Sequence, residues 1–149
     1  MSISNPYTNV DLFIPDTAHR LNETLVASSG GGEYAAFDRQ IDLWWTGLML
    51  GVRAGRRSAA ATTGNLIKFN TGSILTSDPW RIPILELVAI AEVGPAVLRE
   101  PREVINIVSE YAYTGLTLLA DRLRGSPVPL IGLAGAIEDL GTNAEILTD

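Results

Sequence analysis

FDRQIDLWWTGLMLGVRAGRR, residues 37–57, joins three signals in one stretch: a helical apolar pattern, a glycine repeat and a basic end. Phe37, Ile41, Trp44, Leu48 and Val52 recur at steps of three and four, which is one stripe of a 3.6-residue helix. Leu43, Trp45, Met49 and Leu50 widen that stripe almost all the way round. The spacing predicts a helix from about Tyr34 to Arg57 that has to be covered on more than one side, with the rest of the chain packed on it.

Gly47, Gly51 and Gly55 fall four apart and line one edge of this helix. Each glycine costs about 1 kcal/mol of helix stability relative to alanine. Close approach of a second helix, backbone to backbone, offsets that cost. The second helix can belong to the same chain or to a partner. Gly47, Gly51 and Gly55 are therefore candidate interface residues, together with Trp44, Trp45 and, from a later helix, Tyr111 and Gly115. Arg53, Arg56 and Arg57 close the stretch, where the helix dipole stabilises each cation by about 0.3–1 kcal/mol. They are also candidates for contact with an anion or an acidic partner, with Arg53 and Arg57 at i, i+4 pointing the same way.

Outward from this stretch the pattern is mainly α. Val10–Ile14 (VDLFI) reads as a short strand, and Pro15-Asp16 opens a helix to about Val26. Residues 28–32 (SSGGG) break it, and they lack both the Gly-Lys-Ser/Thr of a phosphate-binding loop and the spaced dinucleotide fingerprint. Residues 58–64 read as a loop or a frayed helix end, and Asn65–Leu75 as a small hairpin or irregular β unit turning at Asn70-Thr71-Gly72. Ser77-Asp78-Pro79 caps a helix to about Val93, which Gly94-Pro95 stops. Glu100-Pro101 starts an amphipathic helix with Val104, Ile107, Val108, Tyr111, Gly115 and Leu118 on one face and Arg122 and Arg124 at its end. Residues 126–129 break it, and Leu130–Leu140 reads as a final helix. The expectation is one helical domain over residues 1–140 with a short N-terminal strand, followed by an acidic tail at 141–149.

Composition narrows the function classes. The 149 residues are 46% hydrophobic and 19% charged, apolar enough to lean toward a subunit that hides surface in an assembly. The uncharged apolar run Leu43–Val52 is half of the roughly 20 residues that cross a bilayer, so no membrane span is expected. The start MSISNPYTNVDLF has neither the basic end nor the apolar stretch of a secretory signal, and the cytoplasm is the expected compartment. With no cysteine, thiolate chemistry and zinc-thiolate sites are excluded. Seventeen acids against eleven bases give a net charge of −6, which repels a phosphate backbone and argues against free DNA as a partner. Ten of the bases are arginine, the side chain suited to bidentate pairing with carboxylate or phosphate.

Catalytic constellations are thin. His19 is the one histidine, in a polar segment with no serine elbow to match it. Glu100 and Glu103 flank a helix start, which the dipole explains without a metal. Trp44, Trp45, Tyr111 and Tyr113 could stack on bases, yet at helical spacing they read as core or interface anchors. No cofactor, no metal site and no enzymatic activity are expected.

Two segments, FDRQIDLWWTGLMLGVRAGRR and ILELVAIAEVGPAVLREPREVINIVSEYAYTGLTLLADRL, resemble small accessory proteins encoded with bacterial Dnd-type DNA phosphorothioation systems. The residues that carry the likeness are Leu50, Gly51, Val52, Gly55 and Arg56, then Glu103, Glu110, Tyr111, Ala112, Gly115 and Leu116. Val52 stands where the family has an aromatic, and Thr114-Gly115 where it has a glycine pair. The resemblance implies a non-catalytic adaptor or assembly subunit of a phage-defence locus. Its partners would be a larger subunit such as an ATPase or nuclease, with a homo-oligomer left open and DNA contacted indirectly if at all. The alternative is a DNA-binding regulator of the ribbon-helix-helix type, suggested by an N-terminal strand followed by helices. Asp11 and the apolar VDLFI strand speak against it, because such a ribbon needs basic or amide side chains facing the bases.

Overall fold

The computed structural model describes residues 4–31, 35–124 and 129–142. Its elements, in chain order, are strand β1 (Asp11–Pro15), helices α1 (Asp16–His19), α2 (Asn22–Leu25) and α3 (Gln40–Ala54), strand β2 (Leu66–Thr71), and helices α4 (Arg81–Val93), α5 (Pro101–Leu123) and α6 (Pro129–Thr142). Short 3-10 turns join several of them. The protein is mainly α with one small two-stranded sheet, in the order β1-β2. By internal contacts it divides into two units, Met1–Phe13 with Lys68–Ser109, and Ile14–Ile67 with Glu110–Asp149.

In the first unit, β1 and β2 run antiparallel. The Gly72 N–H donates to the Val10 carbonyl at 2.7 Å, and Lys68 faces Asp11 across the strands at 3.0 Å. The expected small β element is present, with its arms differently drawn. Leu66–Thr71 is one arm and β1 is the other, while the residues after Gly72 curl into a 3-10 turn, Gly72–Thr76. A Cβ on Gly72 would collide with the Tyr7 carbonyl, so this glycine lets the N-terminal loop close down on the strand. Asn5 ties that loop in place: its Oδ1 accepts from the Tyr7 N–H at 2.9 Å, and its Nδ2 donates to the Gly72 carbonyl at 2.8 Å and to the Thr76 hydroxyl at 3.0 Å. α4 begins where the Arg81 N–H donates to the Asp78 carbonyl at 3.0 Å, and it ends at Gly94, whose φ of 92° is open to glycine at little cost. Tyr7 is buried and donates to Glu86 on α4 at 2.8 Å. Pro101 then starts α5, with the Glu100 carbonyl receiving the N–H groups of Glu103 and Val104.

In the second unit, the helix predicted over Asp16–Val26 is two single turns, α1 and α2, separated at Arg20-Leu21. The Asn22 side chain is buried and donates to Gln40 at 3.3 Å. Val26 turns extended and bridges Phe37, which exchanges backbone bonds with Leu25 and Ala27 at 2.9 and 2.8 Å. That bridge corrects the predicted start of α3. Phe37 is taken up by the bridge and Arg39 is extended, so the helix begins at Gln40; the expected start at Tyr34 lies outside the described residues. Asp42 caps it by accepting from the Arg39 N–H at 3.2 Å and from its guanidinium at 3.3 Å. α3 packs against α2 and α6. The final helix is longer than expected, running from Pro129, a residue expected in the break, to Thr142; the rest of the acidic tail and residues 126–128 of the expected break lie outside the described residues.

Candidate functional site

The glycine edge meets a helix of its own chain. A Cβ on Gly51 would strike the carbonyl of Tyr111, one on Gly115 the carbonyl of Gly47, and one on Gly47 the side chain of Leu116. In the second unit α3 and α5 therefore cross main chain against main chain, at a distance only glycine permits. Gly55 has a different task. Its φ is 67°, nothing lies within 4 Å of its would-be Cβ, and it ends α3 as a left-handed cap. The helix thus stops three residues short of the predicted Arg57.

Beside the crossing sits a polar clasp. Arg57 donates through Nε to Glu110 Oε2 at 3.0 Å, with Nη2 at 2.9 Å from the same oxygen. The Ser58 N–H donates to the Glu110 carbonyl at 3.1 Å. The Thr114 hydroxyl also donates to that carbonyl, at 3.3 Å, so at 2.6 Å it accepts from the Ser58 hydroxyl. The chain leaving α3 is in this way fastened to α5.

The three arginines consequently diverge. Arg57 has its acidic partner within the chain, Arg53 donates to the Gly141 carbonyl at 3.0 Å, and Arg56 is exposed. Arg53 and Arg57 do not share a helix face, because the chain leaves the helix at Gly55. Trp44 is fully buried and Trp45 is 9% exposed, so both belong to the core, and Tyr111 is half-buried with its backbone against Gly51. His19 ends α1, half-buried. The strand does not form the outward ribbon that base reading requires. β1 is paired with β2, Leu12 and Ile14 are fully buried, and the intervening residues are Asp11, Phe13 and Pro15.

The surface that sequence reasoning passed over is on α4. Its buried face carries Ile82, Leu85 and Ala89, together with Arg81, whose guanidinium lies 4.9 Å from the Trp80 ring and 3.6 Å from Asp78. The opposite face is equally apolar. Trp80 is 52% exposed, Ile84 37% and Leu87 64%, flanked by exposed Pro83 and Ala91 and half-buried Val88 and Ile90. Glu86, the acid in the middle of the helix, is held by Tyr7, and Glu92 borders the face in the last turn. A solvent-facing helix side whose centre carries no charge departs from the amphipathic pattern of a surface helix. The signal was present in RIPILELVAIAEV, whose apolar residues fall on all sides of the helical wheel.

Two open grooves lie among the described residues. One of about 560 Å³, in the first unit, is lined by Pro6, Asn9, Val10 and the first turn of α5, Glu100–Glu103. The other, about 220 Å³ in the second unit, has Arg20 and Arg124 at its rim, each beside its own aspartate, Asp16 and Asp121. Neither lining pairs a nucleophile with a base. Among the described residues no helix is long and apolar enough to cross a membrane. Comparison with protein-family models, curated proteins and solved structures returned no match.

Proposed function

We propose that this protein is a non-catalytic adaptor or assembly subunit of a bacterial DNA-modification or antiviral defence complex. The observation that supports an interaction role is the solvent face of α4, where Trp80, Ile84 and Leu87 stand exposed with no charge between them. Large exposed apolar patches on a folded chain mark contact surfaces. A few residues carry most of the binding energy in protein interfaces, and tryptophan is prominent among them. The particular setting, a phosphorothioation-type locus with a larger ATPase or nuclease as neighbour, comes from the resemblance through Gly51, Gly55, Glu110, Tyr111 and Gly115.

The test is expression of the whole locus with this subunit tagged. The tagged chain brings down a larger subunit of the same locus. A chain that never retains a neighbour, at low salt and at full expression of the locus, overturns the reading.

A further inference from the structure

Trp80, Ile84, Leu87 and Ala91 follow one another at intervals of four, three and four residues. This is the a/d alternation of a heptad, and it reads the same in either direction along the helix. Two copies of α4 laid antiparallel about a two-fold axis between Ile84 and Leu87 therefore match without adjustment. Ile84 of one copy falls opposite Leu87 of the other, and the indole of Trp80 falls opposite the small Ala91 at the far end. Large meets small at both ends, and branched aliphatic meets aliphatic in the middle. Pro83, Val88 and Ile90 border the seam and are uncharged as well.

Resting on the reading of this face as an interaction surface, we propose that α4 pairs antiparallel with α4 of a second copy of this chain. A symmetric contact requires one patch to complement itself. Each chain carries a net charge of −6, so two copies repel wherever acids meet. The α4 face avoids that repulsion, because Glu86 is turned to Tyr7 and Glu92 falls opposite Pro79, past the last pairing of the seam. The area fits a reversible pair. A 13-residue helix is about 20 Å long. Such a face covers on the order of 500 Å² per copy, near the lower limit of specific interfaces.

Sedimentation equilibrium of the purified chain over a wide concentration range decides the matter. The expected mass rises from 16.0 kDa toward twice that value as concentration increases. Leu87→Glu and Ile84→Lys, each on a solvent-facing position, weaken dimerisation by about a hundredfold or more, since each sets an uncompensated charge in the seam. An equimolar mixture of the two variants regains the dimer, because the antiparallel register sets the carboxylate introduced in one chain against the ammonium introduced in the other. The regained dimer also shows that both variants are folded. A wild-type mass of one chain at several hundred micromolar, a dimer indifferent to both substitutions, or a mixture that stays monomeric each overturns the proposal. A monomer that still captures its neighbouring subunit removes the pairing and keeps the adaptor role. A dimer that captures none does the reverse.

Discussion

Gly115 lies against the carbonyl of Gly47, so α3 and α5 cross with no side chain between them. Gly115→Ala and Gly51→Ala each force a methyl into a main-chain carbonyl and are expected to cost about 3 kcal/mol, at the upper end of overpacking effects. Gly47→Ala costs less, about 1–2 kcal/mol, because its nearest obstacle is the Leu116 side chain, which can turn. Gly55→Ala meets open space and costs about 1 kcal/mol for its left-handed backbone alone. Urea midpoints of the four variants check the ranking; a Gly115→Ala protein as stable as Gly55→Ala contradicts the crossing.

Arg57 and Glu110 form a pair whose side chains are 27% and 16% exposed. Partial screening limits its strength, so a double-mutant cycle on Arg57→Ala and Glu110→Ala is expected to give a coupling of about 1 kcal/mol. The same pair, with Ser58 and Thr114, holds the segment after α3, and hydrogen exchange at residues 57–60 should quicken in either single variant. Unchanged exchange there would show that the clasp does not hold the segment.

Tyr7 binds its phenolic proton more tightly than a free tyrosine. Burial is the first cause, and the hydrogen bond and negative charge of Glu86 add to it, all raising the pKa. Because the folded value lies above the unfolded one of about 10, this group contributes stability that is whole below about pH 10 and is lost as the pH climbs toward the folded value. Spectroscopic titration should find one tyrosine that ionises only with unfolding. In Tyr7→Phe that resistant tyrosine is gone and the alkaline loss of stability is shallower. A wild-type titration with every tyrosine ionising near pH 10 contradicts this.

The Asn5 side chain makes three hydrogen bonds, one within the N-terminal loop to the Tyr7 N–H and two that fasten the loop to Gly72 and Thr76. Asn5→Ala leaves partly buried backbone groups unsatisfied and is expected to cost about 1–3 kcal/mol. Limited proteolysis should find cleavage before Tyr7 accelerated several-fold, with no change in the α6 region.

Much of the helical plan was legible, and the reasons are local. α4 stops at Gly94 and α5 starts at Pro101, signals confined to one turn of chain, whereas the cap expected at Ser77-Asp78-Pro79 does not form through a side chain: α4 begins at Arg81, with Trp80 before it. What escaped was decided by distant partners. Phe37 continues the apolar periodicity of α3 faultlessly, yet its backbone is claimed by Leu25 and Ala27. Leu66–Thr71 has the composition of a hairpin arm, but its partner is β1, far back in the sequence. The glycine edge was readable as a close approach at Gly47 and Gly51. Spacing alone could not reveal that Gly55, next in the same row, has a positive φ and ends the helix. The α4 face was missed for another reason: an apolar helix that is buried all round and one that leaves half its apolar surface in solvent have the same sequence signature.

The α3–α5 crossing also bears on how this chain can change over time. An oversized side chain in an ordinary core can be accommodated by a smaller neighbour, so the two positions drift together. At Gly51 and Gly115 the obstacle is a peptide carbonyl, which no substitution can trim. These two positions have no compensating partner, and relatives that keep the crossing must keep both glycines even where every surrounding side chain has been replaced. Remote kin of this protein should therefore be sought by a paired small-residue signature in two helices, with the intervening sequence left free.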